Sequence, residues 1–118
     1  MPNYIMEWLS VQEERLLLHL LKRHETPIVK LKGRPNLILT NQRLLQIQGV
    51  KFQTYQLNSL TKVYFKDHLL LCSLKIAFSP QSGKTFQTFY FGRKKKPQVH
   101  AAFTIINQLV LSILNNAG

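Results

Sequence analysis

Residues 37–47 read LILTNQRLLQI, which places two apolar runs on either side of Thr40-Asn41-Gln42-Arg43. Each run is long enough to form a strand, and asparagine tolerates the positive φ of a tight hairpin. Alternating segments follow this stretch, and the chain ends in one uncharged segment with helical spacing. This order predicts a small barrel or strongly bent sheet that is closed by a C-terminal helix.

The chain has 118 residues, a length that suits a single domain with one hydrophobic core. The apolar fraction of 45% is ordinary, and no stretch approaches the ~20 uninterrupted apolar residues of a membrane-spanning helix. Residues 1–9 lack the features of a secretory signal, which predicts a cytoplasmic protein. The lone Cys72 lies in an apolar run and is predicted to be a small buried hydrophobic residue.

The net charge of +11 is unevenly distributed along the chain. Residues 1–26 contain four of the five acids and carry a net charge of −1, whereas residues 27–96 carry thirteen Lys and Arg against Asp67 alone. Residues 97–118 contain no charged side chain. Because like charges destabilise a compact fold, the basic β-rich section is expected to need counterions or an anionic partner.

A helix is predicted from about Val11 to His24, opened by a capping box between Ser10 and Glu13 and ended by Thr26-Pro27. Its leucines form a stripe that is wider than one buried face requires, so the helix either packs on two sides or meets another protein. The members that carry this prediction are Leu16, Leu17, Leu18, Leu20 and Leu21. Residues 4–9 are apolar and are predicted to tuck onto the core, with a membrane-touching wedge as the alternative.

After Pro27 the pattern alternates with a period of two, which predicts six or seven strands joined by short links. Short links favour an antiparallel meander. In the strand predicted at 61–66, Val63 and Phe65 face inward, while Lys62, Tyr64 and Lys66 face outward. The remaining strands are predicted at 28–32, 37–40, 43–48, 52–57, 74–78 and 85–91, with a hairpin loop at 80–83.

The last helix is predicted from about Pro97 to Asn115. Phe103 and Ile106 belong to the stripe that should bury against the sheet. The opposite stripe is polar but uncharged and includes Leu111, a composition that favours a partner there. Residues 1–118 are thus predicted to form one domain, divided into a helical extension over 1–26 and a barrel with its helix over 27–118.

Two short motifs carry a family resemblance. They are the LTN-x-R-L hairpin at 39–44 and the L-x-x-L-x-x-V stretch at 57–63. With two further strands and one helix behind them, they resemble the bacterial pleckstrin-homology-like (PH-like) domains and their GRAM relatives over about residues 28–114. The resemblance implies an α+β, mostly β fold, in which two bent antiparallel sheets form a PH-like barrel and the C-terminal helix plugs one end. It also implies a non-enzymatic role in binding lipid or protein.

The sequence offers little chemistry for catalysis. Catalytic carboxylates act in groups, but four of the five acids precede residue 26 and Asp67 adjoins only His68. His19, His24, His68 and His100 do not have the spacing of a metal site, and the chain has no nucleophile elbow or phosphate-binding glycine loop. The chain is therefore predicted to have no catalytic residue, no metal and no cofactor.

Two basic segments are the candidate ligand sites. Lys30, Lys32 and Arg34 approach and enter the first loop, where a PH-like domain that binds phosphoinositides would carry a comparable pattern. The second segment is Arg93, Lys94, Lys95 and Lys96. Lys and Arg donate to phosphate oxygens, which indicates binding to an anionic membrane surface, although a basic rim that only keeps the protein soluble explains residues 94–96 equally well.

These patterns rank three kinds of partner. Phospholipid head groups come first, which would make a cytoplasmic protein peripheral to the membrane. Second comes a homo-oligomer or a protein partner, held by Leu16, Leu17, Leu20 and Leu21 of the first helix and by Leu111 of the last. Nucleic acid comes third, because Tyr64 is the one exposed aromatic that the pattern places among lysines, whereas a nucleic-acid platform usually shows several.

Overall fold

The computed structural model describes residues 5–80, 83 and 85–117, which form an α+β fold made mostly of strands. This class agrees with the sequence prediction. Short 3-10 turns at Leu57–Ser59 and Arg93–Lys95 join some of the elements. In chain order the elements are β1 (Ile5–Met6), α1 (Val11–Leu20), β2 (Pro27–Leu31), β3 (Asn36–Thr40), β4 (Arg43–Gln48), β5 (Lys51–Gln56), β6 (Leu60–Asp67), β7 (Leu71–Phe78), β8 (Phe86–Gly92) and α2 (Lys96–Ala117).

The strands form two sheets, one with the order β1-β2-β3-β4-β5 and one with the order β6-β7-β8. Neighbouring strands are antiparallel, except that β1 runs parallel to β2. The 3-10 turn after β5 takes the chain from the first sheet to the second. An isolated bridge between Arg34 and Tyr90 joins the sheets at one edge. Among the described residues the strands do not close into a continuous barrel.

One hydrophobic core lies between the two sheets and α2. Leu37, Leu39 and Leu44 enter it from the five-stranded sheet, and Tyr55 stacks on Phe78 of the other sheet with ring centroids 4.2 Å apart. The three-stranded sheet and α2 contribute further buried side chains, namely Val63, Cys72, Leu74, Ile76, Phe89, Phe91, Val99, Ala102, Ile106 and Val110. The prediction that Cys72 is a buried hydrophobic residue is therefore confirmed.

A second, smaller cluster lies on the outer face of β3 and β4, where α1 packs. Leu17 is 3% exposed and contacts a group made of Leu9, Ile38, Leu45 and Ile47. All five residues of β3 are buried because its two faces meet different clusters. The capping box at Ser10 and Glu13 opens α1, and the Glu13 carboxylate also accepts a 2.8 Å bond from the Gly49 amide between β4 and β5.

The hairpin at residues 37–47 differs from its prediction in one respect. Asn41 was expected to supply a positive φ, but among described residues other than glycine only His24 has one. The Thr40 hydroxyl instead accepts bonds from the amides of Gln42 and Arg43 and so shapes the turn. The Asn41 side chain bonds the chain that follows α1, accepting from the Thr26 amide and donating to the His24 carbonyl.

Two other features also differ from their predictions. The first helix ends at Leu20 and not near His24, because the chain leaves helical geometry at Leu21, where φ and ψ are those of extended backbone. Residues 5–6 form the short strand β1, which the apolar pattern of 4–9 did not predict. The hairpin loop predicted at 80–83 lies partly outside the described residues. The strand predicted at 43–48 is observed with the same bounds as β4.

The buried stripe of α2 agrees with its prediction. Val99, Ala102, Ile106 and Val110 are buried, and Phe103 is half-buried against Phe65 of β6. Leu111, on the opposite stripe, is half-exposed. The helix therefore covers the core with one face and presents the uncharged face to solvent.

Candidate binding surfaces

The fold brings the two predicted basic segments together at one end of the molecule. Gly33 lies so close to β8 that a Cβ atom there would be 2.5 Å from Cε1 of Phe91, which explains why a glycine occupies this position. The backbones of Arg34 and Tyr90 exchange hydrogen bonds of 2.9 and 3.1 Å. Because β8 leads directly into residues 93–96, the first loop and the second basic segment become neighbours.

Lys95 joins these two segments directly. Its Nζ donates to the Lys32 carbonyl at 2.8 Å and to Oε1 of Glu7 at 2.9 Å. The same Glu7 oxygen accepts from the Lys32 amide at 2.9 Å. Lys95 is thus held within the fold, and one acid from the N-terminal segment neutralises it.

Other predicted ligand residues also have acidic partners. Lys30 Nζ lies 2.8 Å from Glu14, and Lys96 Nζ lies 2.7 Å from Asp67. The hydrogen bond from Lys96 lowers the pKa of Asp67, and the charge of Arg93, whose Nε is 3.9 Å away, acts in the same direction. Lys32, Arg34 and Lys94 are exposed, and among the described residues no carboxylate lies within ion-pairing distance of them.

Two leucines project from the hairpin between β6 and β7 at this same end. Leu69 is 81% exposed and Leu70 is 82% exposed. Arg93 Nη1 donates to the Leu69 carbonyl at 3.0 Å, which fixes the tip beside the second basic segment. Leu70 also lines a groove of about 450 Å³ together with Lys32, Arg34, Tyr90 and Lys95. We call the two leucines, together with Arg34, Arg93 and the exposed Lys94 that follows Arg93 in the chain, the hairpin tip.

A second surface lies on the outer face of the three-stranded sheet, and sequence reasoning found only part of it. Tyr64, Phe86 and Tyr90 are each close to half exposed on this face. They alternate with lysines, and a groove of about 370 Å³ between them is lined by Tyr64, Lys66, His68, Ser73, Lys75, Thr88 and Tyr90. The period-two pattern of β8 places Phe86 and Tyr90 on one face, but their position beside Tyr64 depends on the strand register.

The predicted interface leucines fall into two groups. Leu17 is buried within the chain, and Leu16, Leu20 and Leu21 pack partly against the cluster under α1. These four side chains thus have an intramolecular contact, which accounts for much of the wide leucine stripe. Leu18, at 73% exposure, and Leu111 remain on the surface.

One described helical stretch has the length and apolar composition to cross a membrane. It covers Arg93–Asn115, with a mean hydropathy of 1.3, and only part of it is buried within the fold. The core helix of a globular protein can meet the same criteria. Here the buried side chains of α2 cover the space between the two sheets, so the stretch also has a structural role.

The buried polar groups hold the fold together. Arg43 donates two hydrogen bonds to Glu25, of 2.9 and 3.1 Å, and a third to the Leu20 carbonyl at the end of α1. Thr40 donates to the same carboxylate at 2.6 Å. Burial raises the pKa of Glu25, but the bonds from Arg43, the Lys22 amide and Thr40 outweigh it and lower the pKa to about 2. We call Glu25, Thr40 and Arg43 the clasp.

The described residues contain no cluster of three or more His, Cys, Asp or Glu side chains that could hold a metal ion. Burial raises the pKa of Cys72, which disfavours the reactive thiolate. His68 contacts the hydroxyl of Ser73 at 3.1 Å between Nε2 and Oγ, and this pair lies beside lysines and tyrosines. What the described surface offers a ligand is therefore positive charge, exposed leucine and aromatic rings.

Comparison of the chain with protein families, with curated proteins and with solved structures finds no match. The resemblance of residues 28–114 to PH-like domains therefore stays a prediction from short motifs.

Proposed function

We propose that this chain is a non-catalytic, PH-like binding module that docks onto an anionic phospholipid surface through the hairpin tip. The observation that carries the proposal is the pair of leucines, each more than 80% exposed, at a hairpin that Arg93 contacts and that borders a groove lined by Arg34. Exposed leucines at such a protrusion can enter the acyl region of a bilayer, while lysine and arginine contact the phosphates.

The topology supports the PH-like assignment. Four antiparallel strands, β2 to β5, precede three antiparallel strands, β6 to β8, and one helix follows them. The apolar face of that helix packs into the core between the sheets. This is the order that the resemblance implies, with β1 and α1 added at the N-terminus.

The energies of the hairpin tip suit reversible docking. Burying a leucine side chain contributes about 1.5–3 kcal/mol, and a basic residue near an anionic leaflet contributes about 1 kcal/mol. Arg34 and Lys94 are exposed and without an acidic partner among the described residues, so their charges are available to phosphate. Neither the leucines nor the cations would suffice alone, because stable anchoring generally needs two signals.

Vesicle co-sedimentation tests the proposal. The full chain should bind vesicles of phosphatidylcholine with phosphatidylserine, and binding to phosphatidylcholine alone should be much weaker. Raising the salt concentration should weaken binding, because charges are screened over about 10 Å at 0.1 M ionic strength. The double variants Leu69→Ser/Leu70→Ser and Arg34→Gln/Lys94→Gln should each weaken binding about tenfold or more.

Matched controls come from exposed residues elsewhere. Leu18→Ser removes an exposed leucine from α1, and Lys51→Gln removes an exposed lysine from β5. Both should bind vesicles as the unchanged chain does. Equal binding by the Leu69→Ser/Leu70→Ser variant, or no preference for anionic vesicles, would overturn the proposal.

A further inference from the structure

The outer face of β6, β7 and β8 forms a second basic surface that the hairpin tip does not use. We propose that this face binds single-stranded nucleic acid, with bases stacked on its aromatic rings and phosphates on its lysines. The surface, called the aromatic face below, consists of Lys62, Tyr64, Lys66, Lys75, Phe86, Thr88 and Tyr90.

The strand register arranges the aromatic face in three rows across the sheet. The first row is Lys62, Ala77 and Phe86, the second is Tyr64, Lys75 and Thr88, and the third is Lys66, Ser73 and Tyr90. Each row thus contains one aromatic ring and one lysine. From the first row to the third, the rings belong to β8, β6 and β8. A nucleic-acid strand that runs from the first row to the third would therefore meet one ring in each row.

Two lysines of this face contact aromatic rings, and no described carboxylate forms an ion pair with any of its three described lysines. Lys62 Nζ is 5.1 Å from the ring centroid of Tyr64, and Lys75 Nζ is 4.3 Å from that of Phe86. Asp67, the acid nearest in sequence, bonds Lys96 beyond the edge of the face. The other described carboxylates lie in residues 7–25 and bond partners elsewhere in the chain. The positive charge of the face is therefore open to an anion.

The exposed rings decide which anion fits. Tyr64, Phe86 and Tyr90 expose 44%, 48% and 45% of their surface, on a sheet and not on a protruding loop. Base–aromatic stacking needs free base faces, which single strands have and duplexes hide. A basic surface without rings would bind any polyanion equally well. The alternation of ring and lysine therefore favours single strands over duplex and over a phosphate polymer that has no bases.

Fluorescence anisotropy with a short labelled oligothymidylate tests the inference on the full chain. Inorganic polyphosphate and the duplex of the same strand serve as competitors, and the single strand should compete about tenfold better than either. Tyr64→Leu/Tyr90→Leu keeps apolar bulk but removes two rings, and it should lose about a hundredfold in affinity. Tyr64→Phe/Tyr90→Phe keeps the rings and should bind as the unchanged chain does.

The lysines give a separate readout. Replacing Lys62, Lys66 and Lys75 by Gln should reduce the slope of log affinity against log salt by about 2, because each phosphate contact in a single strand contributes about 0.7. Circular dichroism and thermal melting should show that all of these variants are folded. The Leu69→Ser/Leu70→Ser variant should bind the oligonucleotide unchanged, which separates this inference from the proposed membrane function.

Three outcomes would overturn the inference. One is equal competition by polyphosphate and duplex, which would indicate a surface that reads charge alone. Another is unchanged affinity in the folded Tyr64→Leu/Tyr90→Leu variant. The third is that the unchanged chain binds no oligonucleotide. If the Tyr64→Leu/Tyr90→Leu variant then also loses vesicle binding, the aromatic face would be assigned to lipid.

Discussion

The outer face of β3 and β4 is covered by α1, whereas the outer face of β6, β7 and β8 faces solvent. Under α1 the outward-facing positions of β3 and β4 are apolar. Ile38, Leu45 and Ile47 are buried there against Leu17. On the other sheet the corresponding positions carry lysine, tyrosine and threonine. The two sheets of this chain thus have opposite outer surfaces, one apolar and covered, the other basic and exposed to solvent.

The acids follow the same division. Glu7, Glu13, Glu14 and Glu25 attach the N-terminal segment and α1 to the rest of the chain, through Lys32, Gly49, Lys30 and Arg43. None of the described carboxylates forms an ion pair with a lysine of the aromatic face. The lysines of the aromatic face, like Arg34 and Lys94 of the hairpin tip, therefore lack an acidic partner among the described residues, and an anionic ligand should bind at such unpaired positive charge.

The largest loss of stability should follow from removing a member of the clasp, on the side of the molecule that α1 covers. Arg43→Ala leaves the fully buried Glu25 carboxylate without its guanidinium partner, and it should reduce the free energy of unfolding by about 3–5 kcal/mol. Urea unfolding monitored by circular dichroism measures the change. Lys96→Ala, at the exposed pair with Asp67, should change stability little. A similar small effect for Arg43→Ala would mean that the clasp does not hold α1 in place.

Low pH should also reduce the contribution of the clasp to stability. The pKa of Glu25 is about 2 in the fold against a usual value of 4.5, so its contribution is present above pH 4.5 and is lost as the pH falls toward 2. The loss should amount to about 3 kcal/mol, because each pKa unit corresponds to about 1.36 kcal/mol.

Urea unfolding as a function of pH measures this loss. In Glu25→Gln the decline between pH 4.5 and 2 should be shallower, because the titrating group is absent. Parallel curves for the two proteins would show that other carboxylates cause the acid sensitivity.

Much of the fold could be predicted because it depends on local periodicity. The bounds of β4 and the buried stripe of α2, including Ile106, follow from alternation and from helical spacing. The strand β1 could not be predicted, since two residues carry no period and its parallel pairing with β2 is a tertiary contact. Asn41 was misread because its side chain bonds residues 24 and 26, far from the hairpin in sequence.

The candidate site was predicted less completely than the fold. Residues 30–34 and 93–96 were identified as basic, and Tyr64 was placed on an outer face. That Lys95 bonds the Lys32 carbonyl, and that Phe86 and Tyr90 join Tyr64, depends on the pairing of strands distant in sequence. Local pattern gives the face on which a side chain lies but not its neighbour across the sheet.

Adjacent leucines on α1 provide a finer test of the covered face. Leu17 is 3% exposed and Leu18 is 73% exposed. Leu17→Ala should cost about 2–3 kcal/mol of unfolding free energy, the lower part of the usual range, because a surface helix can partly settle into the cavity. Leu18→Ala should stay within about 0.5 kcal/mol. Equal effects at the two positions would mean that α1 does not pack on β3 and β4 with the face described.

The aromatic face should have the smallest effect on stability, and this effect should depend on the salt concentration. Lys62, Lys66 and Lys75 are exposed on neighbouring strands without an acidic partner among the described residues, so their mutual repulsion should destabilise the fold at low ionic strength. Raising the salt concentration screens that repulsion and should increase the free energy of unfolding by less than about 1 kcal/mol. In Lys75→Gln the increase should be smaller, because the central charge of the face is absent. Lys30→Gln removes a lysine that is paired with Glu14 and should not reduce the increase. If salt lowered the stability of the unchanged chain, or if Lys75→Gln and Lys30→Gln behaved alike, repulsion among the lysines of the aromatic face would not be the cause.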